Sequence, residues 1–184
     1  MIYFTADTHF CHVGIIKQCN RPFLDAKTMN NKMIHSWNSV VNKNDEIYIL
    51  GDFMYKGTTR DANEILSRLN GKKYLIKGNH EKYLEDQSFN CKVFEWIKDY
   101  YVLNTEGLKI ILFHYPILQW DTSHHGSIHL YGHVHNSGIK YPALGEMLKI
   151  LGPKAINVGV DVNNFYPVSL IEIINRIFSK TENN

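Results

Sequence analysis

Asp45-Glu46-Ile47-Tyr48-Ile49-Leu50-Gly51-Asp52 is the stretch on which the reading of this chain turns. An unbroken apolar and aromatic run ends, without a spacer, in a glycine and a carboxylate. Such a run is what a strand buried on both faces looks like. The same arrangement recurs on either side. Ile2 to Ala6 leads into Asp7-Thr8-His9, and Lys73 to Lys77 leads into Gly78-Asn79-His80-Glu81. Two further clusters follow, Phe113-His114-Tyr115-Pro116 and Gly132-His133-Val134-His135. Strands of this kind would deliver all five polar clusters to one edge of a sheet.

The segments between the clusters give the organisation. Met29, Met33, Ile34, Trp37, Val40 and Val41 recur at helical spacing and predict an amphipathic helix within Asp25 to Val41. Ala62, Ile65, Leu66 and Leu69 predict a second helix over about Thr59 to Leu69, ended by Asn70-Gly71. Strand, helix, strand with short connections points to a largely parallel central sheet. The second half changes character. Tyr100 to Asn104, Lys109 to Phe113, His129 to Tyr131 and Ala155 to Val160 read as strands with no long helix between them, and Glu106-Gly107 is a hairpin-turn signal. At the end, Ser169 caps a helix through about Phe178 in one reading, and Val168 to Ile174 forms a final strand in the other.

The 184 residues suit one domain spanning 1–184, and 44% apolar with 21% charged residues is ordinary for a soluble globular chain. A formal charge of +2 is too mild to argue for a nucleic-acid surface. Cys11, Cys19 and Cys91 are odd in number and contain no CxxC pair, which fits reduced thiols and a cytoplasmic location. The opening Met-Ile-Tyr-Phe-Thr-Ala-Asp has no basic region of the signal-peptide kind, and no apolar run reaches membrane-spanning length.

Two carboxylates at neighbouring strand ends repel unless a cation lies between them. Asp7 and Asp52, together with His9, Asn79, His114, His133 and His135, offer enough oxygen and nitrogen donors for two metal ions. A pair of divalent ions about 3.5 to 4 Å apart is the arrangement that clamps attacking and leaving oxygens in phosphoryl transfer. Asp52 is the natural bridge, because it is central in the series and Gly51 permits close backbone approach. His133 and His135 would face opposite ways on an extended strand, so a turn just after Gly132 is needed to aim each at a different ion.

The order and content of these clusters, D-x-H, G-D, G-N-H-E/D, a lone His and G-H-x-H, resemble the calcineurin-like metallophosphoesterase superfamily from Asp7 to His135. The resemblance implies an α/β (α+β) fold, a double β-sandwich flanked by helices in four αββα layers. It implies a first metal held by Asp7, His9, Asp52 and His135, and a second held by Asp52, Asn79, His114 and His133. His80 would stand beside the metals and protonate the leaving oxygen or stabilise the transition state, with Glu81 orienting it. The resemblance thus implies Asp52 and His80 as the catalytic residues. The activity implied is hydrolysis of a phosphate ester, above all a phosphodiester, by attack of metal-bound hydroxide. Mn²⁺ is the preferred ion, with Fe, Zn²⁺ and Ni²⁺ as alternatives. A small phosphate ester such as a nucleotide is the expected partner. A nuclease and a phosphomonoesterase are alternative activities, and a non-catalytic interaction scaffold is the rival of another class. The intact ligand set and His80 argue against the scaffold.

The departures matter as well. The residues after Asp52 read Phe53-Met54-Tyr55-Lys56-Gly57, without the D-R-G of the protein phosphatases, so a phosphoprotein substrate is disfavoured. Arg21-Pro22-Phe23 and Asn157-Val158-Gly159-Val160-Asp161 resemble segments of a small bacterial and phage subgroup. Arg21 and His12 are candidate substrate contacts together with Asn79; a surface salt bridge for Arg21 and a capping role for His12 are the bland alternatives. His124, His125 and His129 lie in a polar stretch that reads as a solvated loop. Asp161 and Asn164 hold the loop after the Ala155 strand, or else one of them hydrogen-bonds a metal-bound His.

Overall fold

The computed structural model describes residues 1–181. Strands β1 (Ile2–Thr5), β2 (Glu46–Leu50), β3 (Lys72–Ile76) and β4 (Phe94–Lys98) pair in parallel, and a two-residue β9 (Val168–Ser169) lies antiparallel on the free edge of β1. A second sheet contains β5 (Tyr100–Thr105), β6 (Leu108–Phe113), β7 (Ile128–Tyr131) and β8 (Ala155–Asn157). There β5 and β6 form the expected hairpin, with Glu106 at φ 49° and Gly107 at φ 74° making the turn, whereas β6, β7 and β8 run parallel.

Burial on both faces explains the apolar runs. Ile47 and Ile49 of β2 face a core closed by α2 (Ala26–Val40) and α3 (Thr59–Arg68), and Tyr48 and Leu50 face the second sheet. Trp37 is 2% exposed at the centre of the first core, with its indole N–H on the Asn70 carbonyl at 3.0 Å. Both helices begin on side-chain caps: Asp25 accepts from the Thr28 amide, and Thr58 and Asp61 cap each other reciprocally. Ile110, Leu112, Ile128 and Leu130 fill the sandwich from the opposite side. The outer face of the second sheet, Ile111, His129 and Tyr131, is buried; the Trp120 ring lies 5.3 Å from His129 and shares a groove with Ile150 and Leu151, next to α5 (Pro142–Lys149). The sandwich of two sheets flanked by helices expected from the sequence is therefore the fold.

At the C-terminus the helix reading holds, and the strand expected over Val168 to Ile174 is confined to two residues. Val168 and Ser169 pair with Phe4 and Tyr3, and α6 (Leu170–Thr181) then starts on a reciprocal cap between Ser169 and Glu172. Four elements departed from expectation. α1 (Val13–Gln18) and α4 (Ser137–Lys140) are too short to show a period, and α5 buries none of its residues. β4 was not legible because it lies at a sheet edge and follows no strict alternation: Phe94 is buried, Trp96 and Ile97 are half-buried, and Glu95 and Lys98 are exposed.

The carboxyl ends of β1, β2, β3, β6, β7 and β8 all point to one rim. A bridge between Ala6 and Gly159 joins the two sheets there. Ligand sites of open α/β sheets form outside such strand ends.

Candidate metal centre

Strands β1, β2, β3, β6 and β7 each end within three residues of a site residue, and after several of them the backbone turns sharply. Asp7 (φ 57°), His9 (φ 48°), Asp52 (φ 53°), His133 (φ 67°) and His135 (φ 47°) are all left-handed. Asp and His are among the few residue types that enter this region readily, though each such residue costs on the order of 1–3 kcal/mol. The turn expected after Gly132 is present: the Val134 amide bonds the Gly132 carbonyl at 2.8 Å and the two histidines part. A Cβ on Gly132 would stand 2.7 Å from Asp7 Oδ2, so glycine there lets the chain close around the carboxylate.

Two clusters result. Donor atoms of Asp7, His9 and His135 lie within 4.8 Å of one another, as do those of Asp52, His114 and His133. Asp52 Oδ2 joins them, 3.4 Å from His9 Nε2, 3.6 Å from His114 Nε2 and 4.0 Å from His80 Nε2. Its other oxygen accepts from the amides of Asn79 (2.9 Å) and His80 (3.0 Å), which fixes the carboxylate plane. Asn79 Oδ1 is 3.3 Å from His114 Nε2. His114 donates Nδ1–H to the Leu50 carbonyl at 2.8 Å, and His135 uses Nδ1 on Asp161 Oδ2 at 2.8 Å, so each presents Nε2 to the cavity.

The electrostatics are those of a cation site. Burial raises the Asp7 carboxyl to about 7, with the Asp52 charge adding to it against the pull of His135. Burial, assisted by the charge of His135 and Arg21, lowers the pKa of His9, and burial lowers those of His114 and His133, favouring the neutral imidazoles that ligate metals. Burial opposes charge on His135, but hydrogen bonds to Asp161 and Cys19 and the charge of Asp7 outweigh it and raise that ring to about 10. Asp7 Oδ2 and both ring nitrogens of His9 are buried with no hydrogen-bond partner among the described residues. Buried polar atoms are rarely left this way. Mixed carboxylate and imidazole donors with unsatisfied lone pairs fit divalent ions well.

The sequence pattern of calcineurin-like phosphoesterases matches residues 1–137 of this chain. The chain belongs to that family. The family is one of metal-dependent phosphoester hydrolases. Among its relatives, an uncharacterized protein of Methanocaldococcus jannaschii is 37% identical over 96% of this chain and 90% of its own length. The Gene 66 protein of Mycobacterium phage D29 is 25% identical over 96% of both chains. A crystal structure of a protein of unknown function from Aquifex aeolicus superposes with a TM-score of 0.73 at 28% identity, covering 95% of this chain and 98% of that one.

Around these two donor clusters the remaining candidates divide. His80 is half-exposed at the mouth, its ring 4.3 Å from Tyr55 and 5.4 Å from His9. His12 lies beside it, 4.6 Å from Tyr55, and burial together with the Lys56 charge lowers it to about 4. His12 precedes α1 but makes no side-chain cap, so the capping alternative does not hold. Arg21 is a correction. Its side chain has no exposed surface, and its donors are spent on Asp161, the Asp7 and Thr8 carbonyls and the Met29 sulfur, leaving none for a substrate phosphate. Glu81 does not orient the His80 ring. Its oxygens accept from the amides of Phe53 (3.0 Å) and Gly78 (2.8 Å), tying the loop after β2 to the loop after β3. His129 follows the strand reading and not the loop reading: it is fully buried in β7, with Nδ1 donating to the Ile111 carbonyl and Nε2 accepting from the Ile117 amide. Lys56, an exposed cation 5.6 Å above the Tyr55 ring, joins the candidates. Its position directly after the Gly-Asp block was the available signal.

Proposed function

We propose that this chain is a phosphodiesterase using two divalent ions, one among Asp7, His9, Asp52 and His135 and the other among Asp52, Asn79, His114 and His133. The observation that carries this reading is the pair of donor clusters meeting at Asp52 Oδ2 with His80 4.0 Å away. Bound ions would supply charge neutralisation at the phosphoryl oxygens and a water of lowered pKa.

The protein supplies the rest. Asp52 is held in one orientation by the Asn79 and His80 amides, so it can serve both clusters at once. His80, braced by Tyr55 and outside both clusters, is placed to give a proton to the leaving oxygen; imidazole suits that task near neutral pH. Asn79 and His133 are exposed, which leaves the mouth open to groups on both sides of a phosphate and favours a diester. Lys56 and His12 flank the entry on the His80 side. The proposed substrate is a small phosphodiester, with nucleotides the first class to assay and Mn²⁺ the first ion.

Hydrolysis of bis-p-nitrophenyl phosphate with Mn²⁺ tests the reading. Asp52→Asn is expected to abolish turnover. His80→Ala is expected to keep both ions by elemental analysis while losing at least about 10²-fold in rate, the scale of a general acid. Full activity in Asp52→Asn, or metal loss in His80→Ala, refutes the assignments.

A further inference from the structure

Two segments set apart by the sequence, Arg21-Pro22-Phe23 and Asn157-Val158-Gly159-Val160-Asp161, meet in the fold. Arg21 Nε reaches Asp161 Oδ1 at 2.8 Å and Nη2 reaches Oδ2 at 2.9 Å, with both side chains fully buried. The same guanidinium donates to the Thr8 carbonyl at 2.9 Å and the Asp7 carbonyl at 2.8 Å. Asp161 Oδ2 in turn holds His135 Nδ1, and Asn157 Nδ2 donates to the His135 carbonyl at 3.0 Å. Phe23 seals the device from one side, its ring 4.9 Å from Phe165, over which Arg21 also lies.

We propose that Arg21, Asp161 and Asn157 form a buried latch that presets the first metal position, fixing the His135 ring and the Asp7 loop together, while the second position forms without it. This rests on the two-ion reading above. Net stability is a poor reason for such an ion pair, since apolar residues of similar size commonly do as well in a core. Metal ligation is a better one. A ligating imidazole needs an acceptor on its other nitrogen to hold tautomer and orientation, and losing that acceptor typically weakens metal binding about 10–100-fold. Arg21 extends the device, because it supplies the charge that a buried carboxylate requires. It also ties that carboxylate to the backbone of a second ligand, Asp7. The other cluster touches the latch only indirectly, through the His133 amide on Asp7 Oδ1 at 3.0 Å; His114 rests on the Leu50 carbonyl, and His133 is exposed.

Mn²⁺ titration of metal-free protein by calorimetry, with elemental analysis, tests the latch. The wild type should take up two ions. The double variant Arg21→Met/Asp161→Leu leaves no buried charge without a partner, so its fold is not put at risk by an orphaned ion. It should retain one ion at wild-type affinity and bind the other about 10–100-fold more weakly. Asp161→Asn, read in parallel, should weaken the same ion. His133→Ala should weaken the opposite one, so that adding it to Asp161→Asn impairs both. A pair that served only to stabilise the fold would leave both affinities intact. Two ions at wild-type affinity in the double variant and in Asp161→Asn overturn the latch alone. A wild type that takes up fewer than two overturns the latch and the two-ion reading together.

Discussion

Glu81 carries a sharp test of how the centre is built. Its carboxylate is 8% exposed and is the acceptor for two amides, of Phe53 and Gly78, on the loops that follow β2 and β3. Glu81→Ala would leave the buried Phe53 donor and the half-buried Gly78 donor unpaired, at about 1–3 kcal/mol each when fully desolvated and less for Gly78. The lower half of that range applies, because the carboxylate itself is costly to bury; its pKa is pushed up by burial to about 7. A total near 3 kcal/mol corresponds to a drop in melting temperature of about 6–12 °C for a chain of this size. Glu81→Gln keeps one acceptor but turns an N–H₂ toward the second amide, so it should lose about half as much or more. Thermal unfolding of EDTA-treated protein, followed by circular dichroism, gives the answer without a metal contribution. Should both variants melt within about 2 °C of wild type, the clamp between the loops is refuted. Lost hydrolysis with unchanged melting would instead return Glu81 to the role of orienting His80.

Other outcomes follow from the same geometry. Mn²⁺ at about one hundred times its dissociation constant should stabilise the metal-free protein by about 2.7 kcal/mol per site, or about 5–11 °C, seen by differential scanning fluorimetry; no shift would contradict the unsatisfied donors of Asp7 and His9. Lys56→Ala should raise KM for an anionic diester several-fold with kcat nearly unchanged, an effect that fades at high salt; an unchanged KM removes Lys56 from substrate binding. Burial lowers the His129 pKa, so the folded state binds fewer protons there than the unfolded state does. Its stabilisation is complete above about pH 6.5 and is lost as pH falls toward the lowered folded value. Metal-free wild type should therefore lose stability relative to His129→Gln between about pH 7.5 and pH 5. Parallel pH dependence of the two refutes it.

Much of this was legible in the chain because the information is local. Ile47 to Leu50 had to be a strand buried on both sides, since a run so apolar has no solvent face to offer. The helices over Ala26–Val40 and Thr59–Arg68 were announced by apolar residues three and four apart, a spacing that puts them on one face within a few turns. The five clusters pointed to a metal site because carboxylates and imidazoles placed after buried strands have little other reason to be there. β4 and α5 escaped for the converse reason: an edge strand and an exposed helix bury too little to impose a period on their residues.

What only the tertiary structure decided were the partners of charged side chains distant in sequence. Arg21 looked free to meet a phosphate until Asp161, 140 residues away, was found to take its guanidinium. Glu81 looked like a partner for the ring beside it until its oxygens were found on two backbone amides. His129 fitted both a strand and a polar loop until its neighbours in the second sheet closed over it. A side chain's type states what it can bind and its spacing states which element carries it. Which donor it meets depends on how those elements pack, and packing is settled by contacts that no local window contains.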